Sequence, residues 1–108
     1  MNATTEVFGD CAVVHAPQDL GREAAERLEA YLRSLEQIHV VLDMDDVEQI
    51  DSVGLTMLLD AQELLRTLGG DLKISSAGAV NRKILEITRL DRQLDVFESV
   101  IDAVKSYR

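Results

Sequence analysis

Between positions 43 and 51 the chain places Asp43, Asp45, Asp46, Glu48 and Asp51, and Ser52 follows directly. Carboxylates at this density carry the oxygen donors that a divalent cation takes, and a serine hydroxyl becomes a nucleophile when a base sits beside it. The rest of the sequence completes neither chemistry. The acids crowd one loop. The two histidines, His15 and His39, fall inside strand-like runs, and neither shows a paired spacing with Cys11 or with acids that would hold zinc. No nucleophile–base–acid triad can be assigned, and Gly69-Gly70 lacks the Lys-Ser/Thr of a phosphate-binding loop. No catalytic residue, metal site or cofactor is therefore expected, and the chain reads as a non-enzyme. On spacing alone Ser52 is a helix cap, its oxygen accepting backbone N–H groups left free at a helix start.

The elements around Ser52 follow from changes in hydrophobic period. Glu6-Val7-Phe8 and Cys11-Ala12-Val13-Val14-His15 are β-prone runs around Gly9-Asp10, a hairpin signal. Asp19 is a candidate cap for a helix running to about Gln37, with Leu20, Ala24, Leu28, Tyr31, Leu32 and Leu35 at helical spacing. Ile38 to Met44, with Val40-Val41-Leu42 at its centre, suits an inner strand. A helix from Ser52 to about Leu68 ends at Gly69-Gly70, where glycine suits the left-handed C-terminal position. Leu72 to Ser75 then reads as a strand, Val80 to Ile87 as a shorter helix, Leu94 to Phe97 as an edge strand and Glu98 to Tyr107 as a closing helix.

These elements predict a single α/β domain over residues 1–108, in the order β-β-α-β-α-β-α-β-α. Its mixed, mostly parallel sheet has about five strands and carries packed helices. Loops at the C-terminal strand ends are the usual place for function in such folds. The helix after Ser52 gathers Thr56, Asp60, Glu63 and Thr67 into one narrow polar sector, with Gln62 and Arg66 as exceptions. Leu55, Leu58, Leu59 and Leu65 form a core stripe, while Val53, Met57 and Leu64 border the polar sector. Either two neighbours bury this helix, or Val53 and Met57 present apolar area to another protein near Ser52.

Composition narrows the function classes. The 108 residues suffice for one core, and 46% hydrophobic with 29% charged residues is ordinary for a globular chain. No apolar run approaches the roughly 20 residues that span a bilayer, and the N-terminus lacks the order of a signal peptide, so no membrane association and a cytoplasmic location are expected. Cys11, the single cysteine, lies in an apolar run and reads as a buried thiol. A formal charge of −9 without a Lys/Arg stripe argues against direct nucleic-acid binding.

Asp51-Ser52-Val53-Gly54-Leu55, after a hydrophobic strand and before a Leu-rich helix, resembles the phosphorylation motif of bacterial anti-sigma factor antagonists, members of the STAS domain family. The resemblance extends over nearly the whole chain, through element order, Gly69-Gly70 before a strand, and the Leu90-Asp91…Val96-Phe97 region. It implies that Ser52 is the phosphoacceptor, with Asp51 and Gly54 matching the motif's aspartate and glycine. Two positions depart from the family pattern. Val53 stands where Ser or Thr is common, which leaves Ser52 as the motif's one hydroxyl, and the Gly-x-Leu-Asp turn reads Pro17-Gln18-Asp19-Leu20 here.

The function implied by the resemblance is partner switching. Unmodified antagonist binds an anti-sigma factor that is also a serine kinase, phosphorylation by that kinase ends binding, and a cognate phosphatase resets the switch. The expected partner surface comprises Asp45, Asp46, Asp51, Ser52, Val53, Gly54, Thr56 and Met57. Two other readings stand beside it. STAS domains also serve as subunits of other signalling or lipid-transport complexes. A receiver-like acidic pocket would need acids after several strands and a late lysine, whereas here Leu94-Asp95-Val96-Phe97 leads to none.

Overall fold

The structure, a computed structural model, describes residues 4–107. Strands β1 (Thr4–Phe8) and β2 (Cys11–His15) form the antiparallel opening hairpin, closed by Gly9 and Asp10. From β2 onward every pairing in the main sheet is parallel: β2 with β4 (His39–Asp43), β4 with β6 (Asp71–Ser75), and β6 with β7 (Asp95–Phe97). The five strands lie in the order β1-β2-β4-β6-β7. Parallel neighbours need a crossover, supplied by helices α1 (Arg22–Ser34), α2 (Ser52–Thr67) and α3 (Ala79–Ile87); α4 (Val100–Lys105) follows the last strand.

The two-residue alternation of β-strands divides the central side chains between two cores. Val14, Val40, Leu42, Leu72 and Ile74 pack with Leu28 and Leu32 of α1, Met57, Leu58, Ala61 and Leu65 of α2, and Leu85 of α3. Cys11, Val13 and Val41 turn the other way and meet Ala103, Val100 and Val104 of α4. Cys11 is buried as expected, and burial pushes its thiol up. Lys73 shares that second face: its Nζ donates to Ser106 Oγ at 2.6 Å and lies 4.1 Å from the centre of the Tyr107 ring. An apolar lysine stem with its ammonium on an aromatic face gives α4 a docking point.

The bounds of α1 differ from the sequence expectation, and at its start the cause is a strand pairing. Asp19–Leu20 (β3) pairs in parallel with Gln49–Ile50 (β5), making a two-stranded ribbon outside the main sheet. Asp19 therefore does not cap α1. It lies in β3, its carboxylate accepts from Gly21 N–H at 3.1 Å, and the helix begins at Arg22 with Gly21 as its N-cap. At the other end α1 stops at Ser34, three residues before Gln37. The C-terminus of α2 is as expected: Gly69 has φ +88, a conformation that glycine adopts without strain.

The polar exceptions on α2 also find their reason here. Gln62, 4% exposed, accepts the Leu72 N–H on Oε1 at 2.6 Å, satisfying a strand donor that the sheet leaves open. Its Nε2 and the Arg66 guanidinium both donate to the Gln93 carbonyl, each at 3.4 Å. Among the described residues, no helix is long and apolar enough to cross a membrane.

Candidate functional site

At the start of α2, Asp51 and not Ser52 is the cap. Asp51 has extended backbone (φ −106, ψ −177), and its Oδ1 accepts the Gly54 N–H at 2.9 Å. The same carboxylate reaches the start of the neighbouring helix, where Oδ2 accepts the Arg22 N–H at 3.2 Å. One side chain thus satisfies a free N-terminal amide on each of two helices, with the favourable placing of a negative charge at both positive ends. Ser52 becomes the first residue of α2 and stays exposed; its carbonyl accepts from Thr56 Oγ1 at 2.8 Å.

Gly54 is required by a close approach. A Cβ there would lie 2.3 Å from the Leu20 carbonyl oxygen and 2.9 Å from Ile50 Cγ1. The first turn of α2 therefore sits directly on the β3–β5 ribbon, and only a residue without a side chain permits it. The ribbon and Asp51 together fix where the Ser52 hydroxyl points out of the fold.

Ser52 lines a groove of about 210 Å³ between α1 and α2, together with Val53, Thr56, Met57 and Asp60 of α2 and Ala25, Glu26 and Glu29 of α1. Of the two readings open for α2, the buried one holds at Met57, which is 2% exposed because α1 packs over it. Met57 forms groove floor and does not offer open apolar area; Val53 is half-buried and Thr56 exposed. The sequence reading missed Glu26 and Glu29. They sit three positions apart on α1, and nothing in the sequence states which face of α1 meets α2. Among the described residues three carboxylates line the groove, and no Lys or Arg does. The Glu29 carboxylate accepts from Arg33 at 2.9 Å along its own helix.

Asp45 and Asp46 are not brought to that groove. They line a separate depression of about 470 Å³ with His15, Gln18 and Glu48, and the two hollows share no residue. Asp45 Oδ1 accepts the Ala77 N–H at 2.7 Å, tying the loop after β4 to the loop after β6. His15 stands between Asp43 Oδ2 on Nδ1 and Glu6 Oε1 on Nε2, both at 2.7 Å. Carboxylates only accept, so the doubly protonated ring satisfies both partners. The hydrogen bond to Glu6 pushes the His15 pKa up, burial works against it, and Asp43 adds to the rise. Among the described residues no group of three or more His, Cys, Asp or Glu is arranged to hold a metal ion.

The family model described as STAS domain matches residues 2–103. The chain belongs to the STAS domain family. A Thermotoga neapolitana protein assigned as an anti-sigma factor antagonist is 27% identical over 66 residues, covering 61% of this chain and 58% of that protein. The chain thus spans less than two thirds of that relative's length. A crystal structure of a protein with the same assignment from Thermotoga maritima superposes with a TM-score of 0.86 at 20% identity, covering 96% and 92% of the two chains. The Bacillus cell fate determinant SpoIIAA in its phosphorylated form superposes with a TM-score of 0.75 at 16% identity, covering 99% and 100%. At these identities the solved structures establish the shared fold.

Proposed function

We propose that this STAS domain is a cytoplasmic, non-catalytic anti-sigma factor antagonist whose unmodified form binds an anti-sigma factor with serine kinase activity, releasing the sigma factor. Phosphorylation of Ser52 by that kinase ends the binding, and a cognate phosphatase restores it. The observation that carries the reading is the division of labour at the start of α2. Asp51 does the capping, so the Ser52 hydroxyl has no structural task and stands exposed at the mouth of a groove. A kinase can reach it without unfolding the helix.

A phosphate adds about −1.5 to −2 charge and three acceptor oxygens. Placed at Ser52 it fills the mouth of a hollow of about 210 Å³ and blocks any side chain a partner inserts there. The domain need not refold for binding to stop. Val53, Thr56 and Asp51 extend the partner surface around Ser52, while Gly54 and Met57 contribute by shape. Asp45 and Asp46 contribute from the neighbouring depression.

The test is kinase labelling and binding of wild type, Ser52→Ala and Ser52→Asp. Ser52→Ala binds the kinase and takes no label, and Ser52→Asp binds more weakly. Normal labelling of Ser52→Ala, or wild-type binding by Ser52→Asp, sinks the proposal.

A further inference from the structure

Among the described residues nothing cationic lines the Ser52 groove to receive a phosphate. From α1 the groove is faced by Glu26 and Glu29, and from α2 by Asp60, with Asp51 adjacent in the chain. Of the three basic groups nearby, two are paired along α1 and the third faces a different hollow. Arg33 pairs with Glu29 along α1, Arg27 pairs with Glu23, and Arg22 lines a different hollow with Asp19, Gly21 and Glu23. The positive end of α2 counts for roughly half an elementary charge. Asp51 already draws on it through the Gly54 N–H. Four carboxylates against half a charge and one committed arginine leave the position strongly negative, in a chain of net charge −9.

Resting on the proposed role of Ser52 as the modified residue, we propose that its phosphate is held without a counter-charge. The second ionisation is therefore shifted upward, and the phosphorylated domain is less stable than the unmodified one. A dianion placed among Glu26, Glu29, Asp51 and Asp60 is disfavoured relative to the monoanion by the same like-charge interaction that raises one member of a carboxylate pair. The modified form thus carries a built-in strain. It costs the domain stability for as long as the phosphate is present, and removal of the phosphate relieves it.

The sign of the pH dependence follows. A folded-state ionisation raised above its unfolded value means that the folded form holds the proton longer. The phosphorylated domain has its full stability below the unfolded midpoint, near pH 6, and loses it as pH rises through the folded midpoint. The gap in thermal midpoint between modified and unmodified protein widens in the same direction.

The experiment installs phosphoserine at position 52 during translation by stop-codon suppression, so it needs no kinase. The 31P shift is titrated in the folded protein and in the same protein unfolded in urea. The expected result is a folded midpoint higher than the unfolded one by about half a unit or more. Glu26→Gln with Glu29→Gln, both at the groove, brings it at least part of the way back, and Asp60→Asn does so independently. A folded midpoint equal to or below the unfolded reference overturns the inference, because helix amides or a recruited Arg22 would then be compensating the charge. A melting midpoint unchanged by the modification at pH 8 overturns it as well. Failure of a kinase to label Ser52 would sink the proposed function and leave this titration standing.

Discussion

The two acidic hollows differ in what holds their charge. At the His15 depression part of the charge is tied: Asp43 and Glu6 share the imidazole that lines it, and Asp45 accepts a backbone amide from the facing loop, while Asp46 and Glu48 complete its rim. In the α1–α2 groove Glu29 is paired with Arg33, but Glu26 and Asp60 line an opening to which no basic group contributes among the described residues, beside an exposed hydroxyl. Charge that is satisfied within the fold builds structure, whereas charge left facing a concave opening is available to something outside it. Asp45 and Asp51 thus have a structural task beside the partner contact proposed for them, whereas Ser52 has the proposed contact alone.

The largest effect expected comes from filling the space under the groove. Gly54→Val sets a branched side chain against the Leu20 carbonyl, where even a Cβ lies at 2.3 Å. Overpacking of this kind costs about 1–3 kcal/mol, occasionally more. Urea melts of the variant should show a loss at the top of that range, with α2 lifted from the ribbon. A melt within error of wild type would mean that the first turn of α2 is not seated there.

Next is Asp51→Ala, which removes the cap of α2 and the bond to Arg22 together. Loss of a helix cap costs about 1–2 kcal/mol, and Asp51→Asn should recover most of it. The matched change Asp45→Ala removes one hydrogen bond to Ala77 and should cost less, about 0.5–1.5 kcal/mol. Equilibrium unfolding of the three variants ranks them. An Asp45→Ala loss exceeding that of Asp51→Ala would reverse the relative importance of the two loops.

The smallest effect is the pH dependence held by His15. Its folded pKa lies above the ordinary 6.5 because Glu6 and Asp43 favour the charged ring. The stabilisation is therefore complete below about pH 6.5 and fades as pH rises through the folded value. His15→Gln should flatten the stability profile in that window and leave it unchanged at higher pH. An NMR titration giving a His15 midpoint at or below 6.5 would show that the clamp between β1 and β4 is not made.

Most of the fold was legible because its signals are local. The Val40-Val41-Leu42 run, the helical spacing of Leu28 and Leu32, and Gly69 after α2 each declare an element within a few residues. The β3–β5 ribbon was not legible. Two residues on each side carry no period, and the pairing joins Asp19 to Gln49 across the whole of α1. At the candidate site the motif announced the helix start at Ser52 and the glycine at Gly54, and less beyond them. Burial of Met57 and the approach of Glu26 and Glu29 depend on which faces of two helices meet, a property of the packed sheet and not of either helix alone. Asp45 and Asp46 are near neighbours of Ser52 along the chain, yet their hollow shares no residue with its groove.

Asp51 joins two helix starts through one carboxylate and also precedes the residue proposed to be modified. A substitution at Asp51 that abolishes switching would accordingly be uninformative about recognition until its folding has been measured. In a population of variants this position would fall silent for either of two reasons. Duplicated copies of the domain could abandon Ser52 and its partner while still retaining Asp51, because the architecture continues to require it.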